Sequence, residues 1–130
     1  MAEAGSIPAR LPVGQHLLAD LYGVSARRLN DCTLLTSCLS KAAERAQLKA
    51  LAAPVLHAFE GGGVTGFVLL AESHIAFHTY PELGYIAVDI FSCGAIGPDA
   101  AIDVFVEALQ PVEKHYRAIP RGSELAVTQP

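Results

Sequence analysis

Hydrophobic and polar residues alternate along several short segments of the chain, while two longer segments repeat their hydrophobic residues at helical spacing. Alternation with a period of two is typical of a strand with one buried face, and repeats at three and four residues are typical of a helix that buries one side. The predicted strands are residues 14–22, 50–59, 64–71, 74–79, 85–91 and 112–119. The predicted helices are residues 25–47 and residues 98–109.

The order of these elements, β-α-β-β-β-β-α-β, predicts an α+β fold. Short turns between the central strands favour antiparallel pairing. We therefore expect a two-layer α/β sandwich, an antiparallel sheet with two helices packed on one face, whose other face invites a dimer partner. Residues 13–122 are expected to form a single domain, between a flexible N-terminal arm (residues 1–12) and a polar tail (residues 123–130).

The composition excludes several classes of partner. The 130 residues include 13 acidic and 9 basic side chains without any Lys/Arg-rich run, so nucleic acid is not an expected partner. No apolar run is long enough for a membrane span, and the first residues lack the features of a signal peptide, so no membrane is expected. Three cysteines without a CxxC pair predict a protein of the reducing cytoplasm.

Reactive side chains are concentrated in residues 72–94, a segment that predicts two strands around a Pro-Glu-Leu-Gly turn. Spacing alone is compatible with a Cys–His nucleophilic site, if strand pairing makes His78 and Cys93 converge at one end of the sheet. It is also compatible with a metal site, although the local spacing typical of zinc ligands is missing. The candidate metal ligands are His57, His74, His78 and Cys93.

A longer pattern in the same segment resembles a known family. Residues 72–82 (Glu-Ser-His-Ile-x-x-His-Thr-Tyr-Pro-Glu) and 84–94 (Gly-Tyr-x-Ala-Val-Asp-Ile-Phe-Ser-Cys-Gly) resemble the core of bacterial S-adenosylmethionine decarboxylases. The match is dense over residues 63–94 and weaker from Gly14 to the second helix. It implies a cytoplasmic lyase that releases CO2 from S-adenosylmethionine in spermidine synthesis, with a covalently bound pyruvoyl group as cofactor and no metal.

The resemblance also implies that the chain is a zymogen that cuts itself. Ser73 attacks the carbonyl of Glu72 to form an ester, and β-elimination then leaves dehydroalanine, which hydrolyses to the pyruvoyl group and ammonia. His78 matches the proton acceptor of this processing, and Thr65 matches a serine position whose hydroxyl assists it. The products are a β chain of residues 1–72 and an α chain of residues 73–130.

For turnover, the resemblance implies that the substrate amine forms a Schiff base with the pyruvoyl group derived from Ser73, which accepts the electrons left by CO2. Cys93 matches the proton donor. Phe59 matches an aromatic residue that stacks on adenine, Glu82 an acid that holds the ribose hydroxyls, and Asp20 an acid facing the cationic end of the substrate. The family also implies a homodimer of cleaved αβ protomers, with active sites at or near the interface.

The chain departs from the family pattern in residues 58–63, where Ala58, Gly61 and Gly62 stand in place of a basic residue, a proline and a tyrosine. These positions are expected to contact the substrate. A decarboxylase of L-arginine or L-ornithine is therefore an alternative, since Glu60 would suit a guanidinium or ammonium group.

A further departure is Tyr80, which stands where a tryptophan is common. An alternative of another class is an unprocessed regulatory paralogue that binds an active partner. The presence of Ser73, His78 and Cys93 together argues against that alternative.

Overall fold

A computed structural model describes residues 13–93 and 99–122, so the predicted arm and the polar tail lie outside the described residues. The strands are β1 (Gly14–Tyr22), β2 (Val55–Ala58), β3 (Val64–Leu70), β4 (Ser73–Tyr80), β5 (Tyr85–Ser92) and β6 (Glu113–Arg121). The helices are α1 (Ala26–Leu29), α2 (Cys32–Arg45) and α3 (Asp99–Leu109), and Pro81–Leu83 forms a short 3-10 turn. None of the helices in the described ranges is long and apolar enough to cross a membrane.

The six strands form one sheet in the order β2-β3-β4-β5-β1-β6, and each neighbouring pair is antiparallel. Helices α2 and α3 pack against each other, and both contact the sheet. The predicted α+β sandwich is confirmed. Because β4 and β5 are central strands, the segment with the most reactive side chains is held by backbone hydrogen bonds on both sides.

The first predicted helix differs from the structure, because it is not continuous over residues 25–47. Asn30 ends α1 and Asp31 caps the start of α2, where its carboxylate accepts a hydrogen bond from the Leu34 N–H at 3.0 Å. Two residues with short polar side chains next to each other favour such a break, because each of them can satisfy the free backbone groups of a helix end.

The second predicted strand is also shorter than residues 50–59. Val55–Ala58 pairs with β3, whereas Ala50 makes only an isolated bridge to Leu70. Pro54 lacks the N–H that a continuous ladder would use, which accounts for the later start of the strand.

The core lies between the helices and the sheet. Its largest fully buried side chains are Phe77, Phe105, Leu17, Leu21, Leu29, Leu35, Leu39, Leu70, Ile75, Ile86, Ile90 and Ile102. The rings of Phe77 and Phe105 meet edge to face at 6.2 Å. A Cβ atom at Gly66 would lie 2.7 Å from the Phe77 ring, so the glycine leaves the room that this ring occupies.

Among residues 13–93 and 99–122, no helix packs on the opposite face of the sheet, which we call the open face. Along β4, the residues alternate between the two faces: Ser73, Ile75, Phe77 and Thr79 are buried toward the helices. Their neighbours His74, Ala76, His78 and Tyr80 lie on the open face and are half-buried or exposed. The strand period of two therefore decides which face each reactive residue reaches.

A buried hydroxyl joins the helix layer to the sheet. Thr79 Oγ1 donates to the carbonyl of Leu29 at 2.8 Å and accepts from the N–H of Val64 at 2.8 Å. It thereby ties the end of α1 to the start of β3.

We expect Thr79→Val to lower the free energy of unfolding by about 2–4 kcal/mol, because it leaves a buried N–H and a buried carbonyl without partners. Denaturant unfolding at a fixed protein concentration measures this, in a Ser73→Ala background that removes the predicted self-cleavage. The exposed Thr33 on α2 offers a matched control, and Thr33→Val should stay within about 0.5 kcal/mol. Equal effects of the two variants would contradict the role given to the Thr79 hydroxyl.

Candidate active site

The first group of predicted site residues lies where β3 and β5 end and β4 begins. Ser73 is the first residue of β4 and is only 8% exposed. Cys93 directly follows β5 and is exposed, and its Sγ donates a hydrogen bond to the backbone carbonyl of Glu72 at 3.2 Å. The structure thus brings together Glu72, Ser73 and Cys93.

The backbone of Glu72 is in the left-handed region, with φ of 62°. Leu70 pairs with Ser73, so Ala71 and Glu72 form a two-residue turn, and Glu72 occupies a position that favours glycine. A non-glycine residue held there stores strain of about 1–3 kcal/mol. The peptide bond that joins Glu72 to Ser73 therefore combines a strained residue with a polarised carbonyl.

The second group lies toward the other end of β4, on the open face. Thr65 and His78 stand directly opposite each other on β3 and β4, and a hydrogen bond of 3.0 Å joins Thr65 Oγ1 to His78 Nδ1. His78 is exposed. The ring is thus oriented by a hydroxyl while its other nitrogen stays available for proton transfer.

A cavity of about 480 Å³ opens beside this second group. It is lined by Phe59, Gly62, Gly63, Thr65, His78, Thr79, Tyr80 and Glu82. Four residues predicted from the sequence, Phe59, Thr65, His78 and Glu82, therefore line one cavity. It has an aromatic ring, a carboxylate and a histidine, a combination suited to a planar ligand with hydroxyl groups.

Gly62 and Gly63, from the glycine-rich loop at residues 60–63, line one side of the cavity. The Phe59 N–H donates to the Gly63 carbonyl at 2.9 Å, and the Gly63 N–H donates to Asn30 Oδ1 at 2.9 Å. Gly63 has φ of 98°, and a Cβ atom there would lie 3.1 Å from the Thr79 carbonyl. Glu60 is exposed and is not among the residues that line the cavity.

Asp20 lies on the open face of β1, in the same row of the sheet as His78, with Ala87 between them. Its carboxylate accepts a hydrogen bond from the Tyr85 hydroxyl at 2.5 Å. The pKa of Tyr85 is raised, mainly by burial and next by this hydrogen bond. Asp20 is therefore held by a tyrosine and lies outside the residues that line the cavity, a contact that the sequence pattern did not indicate.

The two groups do not meet within one chain. His78 pairs with Ala87, whereas Cys93 lies past the far end of β5, so their convergence at one end of the sheet is wrong for a single copy. Ser73 and His78 are five residues apart along a strand, which separates them by about 17 Å. Their odd spacing also directs them to opposite faces of the sheet.

Two residues that support these groups, Asn30 and Thr79, were not predicted from the sequence. Asn30 holds the loop beside the cavity, and the adjacent Asn-Asp pair was the signal for it. Thr79 ties the cavity wall to α1, and only its place on the buried face of β4 distinguishes it from other threonines. The candidate metal ligands His57, His74, His78 and Cys93 do not form one cluster. Within residues 13–93 and 99–122, the possible metal ligands that lie close together are instead His16, His74 and Asp89.

Comparison with known proteins gives relatives that bear the same family description. Residues 15–122 match the model of a family described as S-adenosylmethionine decarboxylase. The S-adenosylmethionine decarboxylase proenzyme of Picrophilus torridus is 36% identical over 117 residues, covering 89% of each chain. That of Moorella thermoacetica is 40% identical over 111 residues, covering 85% of this chain and 88% of the relative.

A solved structure is similar as well. The crystal structure of the adenosylmethionine decarboxylase from Aquifex aeolicus VF5 superposes with a TM-score of 0.79 at 34% sequence identity. The match covers 87% of this chain and 93% of the other.

The three thiols differ in their surroundings, which predicts different reactivity. Burial raises the pKa of Cys38 to about 11, from 9.0, so its thiolate fraction near pH 8 falls by about a hundredfold. We expect iodoacetamide at pH 8 to modify exposed Cys93 quickly and Cys38 only after unfolding, as measured by peptide mass spectrometry. Cys93→Ala should remove the fast phase. Fast modification of Cys38 in the folded protein would contradict this assignment.

Proposed function

Because the chain belongs to the S-adenosylmethionine decarboxylase family, we propose that it cuts itself and then converts S-adenosylmethionine to its decarboxylated form and CO2, for polyamine synthesis. The observation that carries this proposal is the bond between Glu72 and Ser73. A serine follows a left-handed, non-glycine residue there, and the carbonyl to be attacked already accepts a hydrogen bond from Cys93.

Self-cleavage begins with the side chain of Ser73. Its Oγ attacks the carbonyl carbon of Glu72, the C–N bond breaks, and the acyl group moves from nitrogen to oxygen. A base then removes the α proton of residue 73, and the C–O bond breaks to release the carboxylate of Glu72. The dehydroalanine left at residue 73 takes up water and loses ammonia, which leaves the pyruvoyl group. Relief of strain at Glu72 favours the first step.

Cys93 serves this chemistry at two stages. During cleavage, the thiol hydrogen bond of 3.2 Å stabilises the negative charge that develops on the Glu72 oxygen. After cleavage, the same thiol lies beside residue 73, where it can donate a proton to the decarboxylated carbon. The position of one side chain thus supports an oxyanion role, argued from the hydrogen bond to Glu72, and the proton-donor role inferred from the family.

The residues present fit a pyruvoyl cofactor at position 73. When formed, this group accepts the electron pair released with CO2. The chain provides a nearly buried position for it at the start of β4, next to an exposed thiol. Since Cys93 must be a free thiol to act, we place the protein in a reducing cytoplasm.

Within the described part of one chain, His78 lies too far from Ser73 to act as its base. We propose that His78 and Thr65 of a second copy complete the processing site around Glu72, Ser73 and Cys93. Within a chain, His78 lies about 17 Å from Ser73 along β4. Two sheets laid face to face about a two-fold axis would bring the His78 end of one sheet to the Ser73 end of the other.

The open face supports this assembly. It exposes large apolar side chains that a second sheet would bury: Phe67 is 43% exposed, Leu69 50% and Val55 54%. Contiguous exposed apolar residues of this kind mark interaction surfaces. A homodimer of cleaved αβ protomers would cover them on both copies and would contain two composite sites.

The cavity beside His78 is the proposed position for the adenosine part of the substrate. Phe59 would stack on adenine and Glu82 would accept hydrogen bonds from the ribose hydroxyls. Asp20 accepts a hydrogen bond from Tyr85 and does not line the cavity of its own chain. Its proposed role toward the cationic end of the substrate therefore requires that it face a site shared with the second copy. Glu60 lies outside the cavity lining, which weakens the case for arginine or ornithine as substrate.

We expect the freshly purified protein to consist of two fragments, residues 1–72 and 73–130, and to release CO2 from S-adenosylmethionine in preference to arginine and ornithine. Intact mass spectrometry and an assay of labelled CO2 measure these outcomes. Ser73→Ala should remain one chain and release at least about a thousandfold less CO2, because the electron acceptor is never formed. An intact, active wild-type chain would overturn the proposal, and an intact, inactive one would favour the regulatory paralogue.

Co-expression of two inactive variants tests the composite site. Ser73→Ala retains His78, and His78→Ala retains Ser73, so mixed dimers contain one complete site. Random pairing should recover about a quarter of the wild-type sites, as cleaved chain and as activity.

A matched control pairs Ser73→Ala with Cys93→Ala. Ser73 and Cys93 belong to the same half of the composite site, so no mixed dimer has a complete site and no recovery of CO2 release is expected. Recovery of CO2 release in this control, or none in the first mixture, would contradict the composite site without affecting the proposed reaction.

A further inference from the structure

A group of possible metal ligands lies on the open face near the Ser73 end of the sheet, and it has no part in the function proposed above. His16 of β1 and His74 of β4 both stand opposite Phe91 of β5. Asp89 lies two residues before Phe91, on the same face. One ligand atom from each of His16, His74 and Asp89 lies within 4.8 Å of the others.

We propose that His16, His74 and Asp89 bind a divalent transition-metal ion of the Zn2+ or Co2+ type. Two imidazoles and one carboxylate form a ligand set that suits these ions and leaves a fourth position open. His74 Nε2 lies 3.3 Å from Asp89 Oδ1, which is already about the separation of two ligands on one tetrahedral Zn2+. His16 Nε2 is closer to the same oxygen, at 2.5 Å, so that it needs to move outward by less than about 1 Å.

The surroundings hold the two imidazoles in place. The Phe91 ring contacts both, with ring centroids 5.9 Å from His16 and 6.3 Å from His74. All three ligands are on strands with antiparallel neighbours on both sides, which restricts their backbones. Their side chains are only partly buried, with exposed fractions between 22% and 41%, so an ion can reach them.

Arg121 of β6 competes with the metal. Its guanidinium contacts His16 Nδ1 at 3.1 Å, and because arginine can only donate, Nδ1 accepts and Nε2 carries the proton that is donated to Asp89. Metal binding through Nε2 requires that this proton leave Nε2 and that a neutral ring carry it on Nδ1 instead. The arginine contact must then break, so the group has a metal-free and a metal-bound arrangement.

The test is Co2+ binding to the purified full-length protein, followed by visible absorption and by elemental analysis after dialysis. Because the open face is the proposed dimer interface, the ion is also supplied during refolding. We expect up to one ion per chain, with an affinity at least about tenfold lower in His74→Ala and Asp89→Asn. Arg121→Gln should raise the affinity about tenfold, because it removes both the competing contact and a positive charge.

His115 provides the matched control, since it is an exposed histidine next to a carboxylate, that of Glu113, without a second histidine in the contact. His115→Ala should bind Co2+ as the wild type does. The proposal is overturned if no ion is retained under either condition, if Arg121→Gln leaves the affinity unchanged, or if His115→Ala loses as much affinity as His74→Ala. Repeating the series in a Ser73→Ala background separates metal binding from cleavage, and circular dichroism checks that each variant is folded.

Discussion

The regular alternation of strand β4 is the constraint on which the proposed chemistry depends. The strand is hydrogen-bonded to β3 and β5 along its length, so it cannot bend to bring its ends together. Ser73 consequently faces the helices and His78 faces outward, about 17 Å away. The proposed cleavage takes His78 from a second chain, because a separation of about 17 Å is too long for proton transfer within one chain. The same alternation leaves exposed apolar residues on the open face, which the proposed second chain would bury.

At the start of β4, neighbouring residues maintain the backbone strain of Glu72 and polarise its carbonyl. A non-glycine residue in the left-handed region is costly wherever it occurs, and a tight turn at Glu72 maintains it here because β3 and β4 are paired on either side. The Cys93 thiol then adds polarisation of the Glu72 carbonyl. Strain and polarisation act on the same peptide unit, while the hydrogen bond of Thr79 and the packing of Phe77 hold the rest of the strand rigid.

The open face contains more chemistry than the family resemblance assigns to it. The cavity beside His78 and the His16–His74–Asp89 group lie toward opposite ends of the sheet. A face-to-face assembly would place both between two copies, where water is limited and electrostatic interactions are stronger. Substrate access, cleavage and any bound ion would then all depend on how tightly the two sheets close.

By itself, the sequence determined the fold class and the approximate position of every strand, because strand alternation and helical spacing are local properties of the chain. The motif at residues 72–94 was identified from its resemblance to a known family. The sequence did not predict the break at Asn30 or the short β2, which depend on which backbone groups find partners. Only the tertiary structure decided that His78 and Cys93 lie at opposite ends of the sheet, and that His16 meets His74 and Asp89. Those distances follow from strand order and register, which join segments far apart in sequence and leave no local pattern.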